Sequence, residues 1–116
     1  MMLPETGTLL RIFIGESDTY QGEPLFEWLV REARRQGLAG ATVLRGLAGF
    51  GAQSRLHTSR ILRLSTDLPL VIEMVDTREK IEGFLPALDD ALDEGLVTME
   101  KVEIRFYRHS GRAKSR

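Results

Sequence analysis

The order of hydrophobic and polar residues predicts four main strands. Three of them are short apolar runs, at residues 8–14, 41–45 and 68–75, which are rich in β-branched and other large apolar side chains and are flanked by turn-forming residues. The fourth lies at residues 101–106, where Val, Ile and Phe alternate with charged side chains. Such alternation is typical of a strand with one buried face.

The segment between the first two strands has the spacing of an amphipathic helix. Leu25, Leu29 and Ala33 recur at every fourth residue. Pro24 suits the first helical position and Gly37 suits a C-terminal cap. The pattern predicts a helix that packs one apolar stripe against a sheet.

A second helix is predicted after the strand at 68–75. Asp76 and Glu79 have the spacing of a capping box that opens it, and Gly95 is expected to close it. Pro86 lies inside, so we expect a kink or a change of helical type there. The buried stripe comprises Ile81, Phe84, Leu85, Leu88 and Leu92.

The resulting order β, α, β, β, α, β predicts an α+β, ferredoxin-like fold, in which an antiparallel sheet carries both helices on one face. The run from Leu70 to Val75 is apolar on both sides, so the other face of the sheet also needs cover. In a chain with two helices, a second subunit is the economical source, and we expect an oligomer. Glu73, inside that run, must be paired or reach an edge, because an isolated buried carboxylate is costly.

Composition narrows the function classes. The 116 residues are enough for one domain, which we place at 1–108, with a basic and disordered tail at 109–116. With 16 basic and 17 acidic residues the net charge is −1, which argues against a nucleic-acid partner. The absence of cysteine excludes disulfides and thiolate chemistry and fits a reducing, cytoplasmic compartment. No apolar run approaches the length of a membrane span, so membrane insertion is not expected.

A glycine-rich segment follows the second strand and is the best candidate for a ligand site. Gly46, Gly49 and Gly51 pass into a small, polar and basic stretch that predicts an exposed loop, with a short returning strand at 61–64. The spacing fits neither a P-loop nor a dinucleotide-binding turn. A bulged strand end without any ligand remains an equal alternative.

Arginines surround this segment. Backbone N–H groups at residues 49–51, assisted by Arg45, Arg55 or Arg60, could bind an anion. Arg45 could equally form an ordinary cross-strand ion pair.

Catalysis has little support. The only histidines are His57 and His109, and no metal-ligand or nucleophile motif is present. We therefore expect no catalytic residues, no metal and no cofactor. A small enzyme using His57 with Asp67 as general acid and base is the weakest of three hypotheses.

Several of these residues occur in a combination that resembles one family, the bacterial and archaeal "domain of unknown function 190". The resemblance covers about residues 8 to 107. It rests on Gly40–Gly46, Gly49–Gly51, His57, Asp67–Pro69 with Glu73, Val75 and Asp76, and Leu85–Pro86.

That family is similar to the PII signalling proteins, and the similarity implies a homotrimer whose sheets face the central axis and whose ligand clefts lie between subunits. Gly49, Phe50 and Gly51 match a Gly-Phe-Gly element that leads into a flexible loop, here residues 51–63. The basic phosphate-binding loop of PII proteins has no counterpart, and only Gly95 and Thr98 remain as contacts there.

The leading hypothesis is a non-enzymatic, PII-like regulatory protein that binds a small anionic effector, an adenine nucleotide being one candidate, and engages a target protein through the 51–63 loop. The alternative is a CutA-like trimer with a structural or metal-responsive role. The predicted ligand-binding residues are Arg45, Gly46, Gly49, Phe50, Gly51, Arg55, His57 and Thr98.

Overall fold

The computed structural model describes residues 5–50, 57–58 and 67–108, with the backbone alone at 57–58. The strands are β1 (Thr6–Gly15), β2 (Thr19–Tyr20), β3 (Glu23–Pro24), β4 (Thr42–Arg45), β5 (Ala48–Gly49), β6 (His57–Thr58), β7 (Pro69–Asp76) and β8 (Leu96–Glu103). The helices are α1 (Leu25–Arg35) and α2 (Arg78–Ala91). The predicted strand at 61–64 and the predicted tail at 109–116 lie outside the described residues.

The central sheet has the order β4-β7-β1-β8, and every neighbouring pair is antiparallel. The two central strands are therefore β1 and β7. With one helix in each crossover, this is the predicted ferredoxin-like α+β fold. Proline begins β7 at Pro69, where a missing backbone donor costs least.

Both helices cover the same face of the sheet. Alternate residues of β1 and β7, among them Leu10, Ile12 and Ile72, are fully buried in one cluster with the stripes of both helices. The stripe of α1 is Leu25, Leu29 and Ala33, as predicted; the buried stripe of α2 is Ile81, Phe84, Leu88 and Ala91. We call this side of the sheet the covered face.

Asp76 ends β7 on the covered face and is only 1% exposed. Its carboxylate accepts hydrogen bonds from Ala39 N at 2.8 Å and from Thr77 N at 2.6 Å. The predicted capping role of Asp76 is therefore wrong, since the N-cap of α2 is Thr77, whose hydroxyl accepts from Lys80 N at 3.2 Å. The buried carboxylate instead holds the chain that leads into β4.

Two boundaries in the C-terminal half are corrected. Helix α2 ends at Ala91, before Gly95; it stays α-helical through Pro86, so the helical type does not change there, and the expected kink stays a prediction. The last strand spans Leu96–Glu103 rather than 101–106, because it pairs with β1, and β1 begins at Thr6, opposite Glu103. Residues 104–108 therefore continue as irregular chain.

The other side of the sheet, the open face, carries three cross-strand rows. The first is apolar and runs across all four strands, through Leu44, Val71, Phe13 and Leu96 in register. The second is polar and contains Thr42, Glu73, Arg11 and Thr98. The third has Leu9 between Val75 on β7 and Glu100 on β8, so it is apolar on two strands and acidic at the β8 edge.

Arg11 is the centre of the polar row. Its guanidinium donates to Glu73 at 2.8 Å and to Glu100 at 3.3 Å, so Glu73 is paired, as predicted. The hydrogen bond to Glu73 is the main reason that the pKa of Arg11 is raised. A half-exposed ion pair therefore interrupts the apolar surface of the open face.

None of the helices in the described part of the chain is both long and apolar enough to cross a bilayer.

Candidate functional site

Three chain segments meet at the end of β4, before the predicted 51–63 loop, and we call this place the loop base. It consists of the turn Gly15–Asp18, residues Arg45–Phe50 and residues Asp67–Pro69. Gly46 N donates to Pro69 O at 2.7 Å, and Glu16 N donates to Leu68 O at 2.7 Å. Ser17 N donates to the Asp67 carboxylate at 3.2 Å. The turn after β1 is thus hydrogen-bonded to the chain that returns into β7.

The outgoing chain continues past β4 as a second, small pairing. Ala48 and Gly49 of β5 are in register with Thr58 and His57 of β6. The pairing places the backbone of His57 opposite Gly49.

Two of the predicted ligand-binding glycines have a structural reason to be glycine. A Cβ on Gly46 would lie 2.9 Å from Pro69 Cγ, and a Cβ on Gly49 would lie 3.3 Å from the same atom. Gly49 also has φ of 154°, a conformation that L side chains rarely adopt. The glycines let the outgoing chain pack closely on Pro69, with or without a ligand.

Arg45 is the cation of the loop base, and it is paired with Glu16 rather than with a residue on a neighbouring strand. The Arg45 side chain is 61% exposed, whereas the Glu16 side chain is only 20% exposed. Glu16 Oε2 accepts from the guanidinium, and Glu16 Oε1 is buried with no hydrogen-bond partner among the described residues. The site therefore presents an accessible guanidinium whose counter-ion is partly buried and incompletely hydrogen-bonded.

Two large apolar side chains that follow Arg45 in the loop base are exposed. Leu47 is 78% exposed and Phe50 is 69% exposed. The loop base therefore carries both a cation and exposed apolar side chains, which suits a ligand with both a charged and a planar part.

The other side of the Gly15–Asp18 turn is acidic and does not suit an anion. A cleft of about 410 Å³ lies there, and Asp18, Asp93 and Glu94 are among its lining residues. Burial is the main cause that raises the pKa of Asp18, and the charges of Asp67, Glu94 and Asp93 raise it further. No group of three or more metal-ligating side chains occurs within residues 5–50 and 67–108.

The structure brings together half of the predicted ligand-binding residues. Arg45, Gly46, Gly49 and Phe50 all belong to the loop base. Gly51, Arg55 and the side chain of His57 lie outside the described residues.

Thr98 is the one predicted contact that lies elsewhere. It is on β8, at the opposite edge of the sheet from β4, with β1 and β7 between them. Three strand spacings separate the two edge strands, which is about 14 Å. Thr98 and Arg45 of one subunit therefore cannot contact the same small ligand group.

A sequence-family model that covers most of the chain shows which family the chain belongs to. The DUF190 family model, described as "Uncharacterized ACR", matches residues 7–104. The chain belongs to the DUF190 family. Two curated relatives agree, each named a UPF0166 protein. The relative from Aquifex aeolicus is 38% identical over 98 residues, which are 84% of this chain and 92% of that protein. The relative from Methanocaldococcus jannaschii is 36% identical over 90 residues, 77% of this chain and 82% of that protein.

Solved structures place this DUF190 chain among PII-like folds. It is similar to CPII, a nitrogen regulatory PII-like protein from Thiomonas intermedia K12, bound to ADP, AMP and bicarbonate, with a TM-score of 0.58 and 18% identity over 85% of this chain and 88% of that one. It is also similar to a B. subtilis GlnK–ATP complex, with a TM-score of 0.52 and 16% identity over 88% of this chain and 85% of that one. At these identities the likeness shows the fold.

Glu16 is the residue of the loop base that the sequence did not single out. It stands in a run of turn residues, Glu16-Ser17-Asp18, which predicts only the end of a strand. Its pairing with Arg45 spans 29 positions and depends on the sheet topology. The sequence offered one signal, an acidic residue directly after β1. Strand β1 pairs with β7, and the start of β7 belongs to the loop base.

Proposed function

We propose that this DUF190 chain is a non-enzymatic, PII-like regulatory protein of the cytoplasm. It forms a homotrimer, binds the phosphate groups of an adenine nucleotide at the loop base, in clefts between subunits, and signals to a target protein through the 51–63 loop. The observation that carries the proposal is the exposed Arg45 guanidinium beside Gly46–Phe50, at the base of that loop.

The chemistry of the loop base supports a nucleotide over a simple inorganic anion. A guanidinium is well matched to phosphate oxygens, and an exposed aromatic ring such as Phe50 offers a surface for a base. Two of the solved PII-like proteins with this fold contain bound adenine nucleotides, ADP and AMP in one and ATP in the other.

The open face supports the trimer. Its first row exposes Leu44 by 47% and Leu96 by 57%, on opposite edges of one sheet. An apolar row that reaches both edges is well suited to packing against further copies of the same sheet. We propose that three open faces meet around the axis of the trimer.

A trimer also gives Thr98 a place in the site. In a cyclic assembly each subunit uses one edge against the opposite edge of its neighbour. The β8 edge that carries Thr98 can then approach the loop base of the next subunit, although the two are about 14 Å apart within one subunit. The proposed cleft is therefore shared.

The test combines native mass spectrometry with calorimetric titration of ADP, ATP and AMP. We expect a trimer that binds at least one of the three nucleotides, and we expect Arg45→Gln to weaken that binding by about tenfold or more, since a charge-assisted pair is lost. Arg31→Gln is the matched control, because Arg31 is 60% exposed and also pairs with a glutamate.

Three results would contradict the proposal. A monomer would remove the shared cleft, the absence of binding to all three nucleotides would remove the effector class, and equal affinity in Arg45→Gln and wild type would remove the site. Retention of the trimer in Arg45→Gln is required for the last comparison.

A further inference from the structure

The Glu16–Arg45 pair occupies the position at which the proposed site would take its anion. The carboxylate of Glu16 contacts the guanidinium through one oxygen, and the other oxygen is buried and has no partner among the described residues. A buried acceptor without a hydrogen bond is a cost to the folded state. The Glu16 carboxylate therefore lacks a hydrogen bond at one of its two oxygens.

The turn around Glu16 keeps the carboxylate in this position. Asp18 N donates to Gly15 O at 3.2 Å and Leu25 N donates to Asp18 O at 2.8 Å, so the turn is fixed to the start of α1. Gly15 N donates in addition to the Asp18 carboxylate at 3.0 Å. Because Glu16 N is bound to Leu68 O, the side chain is presented from a fixed backbone at the loop base.

A second Glu–Arg pair of this chain shows what a fully satisfied contact looks like. Glu23 accepts from Arg31 through both oxygens, at 2.8 and 2.7 Å. The two arginines are almost equally exposed, at 61% for Arg45 and 60% for Arg31. Their difference lies in the carboxylate, since Glu23 makes a bidentate contact and Glu16 makes a contact through one oxygen.

We propose that Glu16 is an internal competitor that occupies Arg45 when no ligand is bound and is displaced by the phosphate of the nucleotide. This regulation rests on the proposed function, because it acts on the same guanidinium. The exchange replaces one carboxylate by a group of higher charge with more acceptor oxygens, which Arg45 can bind in a bidentate manner. The effect of Glu16 is to raise the effector concentration at which half of the sites are occupied.

The expected change in apparent nucleotide affinity follows from the strength of such ion pairs. An exposed or half-exposed ion pair contributes up to about 1 kcal/mol, and a competing state divides the apparent affinity by the fraction of free sites. Glu16→Gln is therefore expected to bind nucleotide about two- to fivefold more tightly than the wild type. It keeps the backbone bond to Leu68, and Glu16→Ala serves as a second variant.

The first experiment needs no ligand. Phenylglyoxal modifies accessible guanidinium groups, and the rate at each arginine is read from peptide masses in the full-length protein. We expect Glu16→Gln to raise the modification rate of Arg45 severalfold and to leave Arg31 unchanged. The matched control Glu23→Gln should raise the rate of Arg31 and leave Arg45 unchanged.

The second experiment titrates ADP into wild type, Glu16→Gln, Arg45→Gln and the double variant. If Glu16 acts through Arg45, Glu16→Gln tightens binding in the wild-type background and changes nothing in the Arg45→Gln background. A gain of equal size in both backgrounds would show a general charge effect and overturn the competitor.

The two proposals fail in different ways. An unchanged Arg45 modification rate in Glu16→Gln, or an unchanged ADP affinity with a raised rate, overturns the competitor while binding at Arg45 can still hold. Wild-type affinity in Arg45→Gln overturns the binding site itself, and the competitor with it.

Discussion

A carboxylate interrupts the apolar surface on both the covered face and the open face of the sheet, but the two carboxylates are bound in different ways. On the covered face the buried carboxylate of Asp76 accepts its hydrogen bonds from backbone N–H groups at the end of a strand. On the open face Glu73 lies in the middle of a strand and pairs with the Arg11 side chain. Asp76 is thus buried with fixed backbone partners, whereas the Glu73–Arg11 pair stays half exposed beside apolar residues.

This difference separates what the subunit needs to fold from what it offers to other molecules. A buried group with fixed backbone partners gains little from a further contact, but a half-exposed ion pair in an apolar surface restricts which surface can pack on it. The open face is therefore suited to a partner of matching register, such as another copy of the chain.

The largest effect is expected from the centre of the covered face. Phe84 is fully buried, so Phe84→Ala should lower the free energy of unfolding by about 3–5 kcal/mol, through lost burial and the cavity left behind. Phe106→Ala is the matched control, since Phe106 is 74% exposed, and should change it by no more than about 0.5 kcal/mol. Urea unfolding at one protein concentration measures both. Equal losses would mean that the C-terminal segment is as important to the core as α2.

The corresponding change on the open face is Leu44→Asp. A charge in the first apolar row should abolish the trimer while the subunit stays folded, because Leu44 is already half exposed in the single chain. Native mass spectrometry and circular dichroism report the two properties separately. Leu47→Asp is the control outside the row and should keep the trimer; loss of assembly in both variants would shift the interface to the loop base.

The two carboxylates provide a direct comparison of the faces. Asp76→Asn places a donor against the backbone N–H groups of Ala39 and Thr77 and should cost about 1–3 kcal/mol of stability. Glu73→Gln, measured in the Leu44→Asp background that is expected to be monomeric, should cost less than about 1 kcal/mol, since the Glu73 side chain is 31% exposed in the single subunit and solvent can replace the pair. Thermal and urea unfolding of both variants would test this, and a reversed order would mean that the ion pair on the open face is the structural one.

The smallest effect concerns Asp18, whose pKa is raised by burial and by neighbouring carboxylates. A raised pKa means that the folded state binds the proton more tightly than the unfolded state, so ionised Asp18 destabilises the fold above its folded pKa and the cost disappears as the pH falls. Asp18→Asn should raise the melting temperature slightly at pH 7. The gain should vanish below about pH 3.8, the ordinary value of the group. A gain that persists at low pH would point to a cause other than ionisation.

Local patterns predicted the sheet and helices well, and errors arose where tertiary pairing decides. The stripe Leu25, Leu29 and Ala33 follows from helical spacing alone, and so it is correct in the structure. The bounds of β8 depend instead on where β1 begins, which the alternation at residues 101–106 could not reveal. Asp76 and Thr77 are both good capping residues, and the choice between them is made by Ala39 N, which is distant in sequence.

The candidate site was predictable only in part for the same reason. Glycines after a strand and nearby arginines mark Arg45–Phe50 from the sequence. Their neighbours at the loop base, above all Glu16, come from a turn that follows another strand, and only the antiparallel register of β1, β7 and β4 brings them together.

The contact between Tyr20 and Trp28 has an experimental consequence. Trp28 is the single tryptophan of the chain, and its ring meets that of Tyr20 edge to face, with centroids 4.7 Å apart. Tyr20 lies on β2, directly after the turn that presents Glu16. A movement of that turn should therefore alter the emission of the only indole fluorophore, so the wild-type protein carries an intrinsic optical reporter of its loop base.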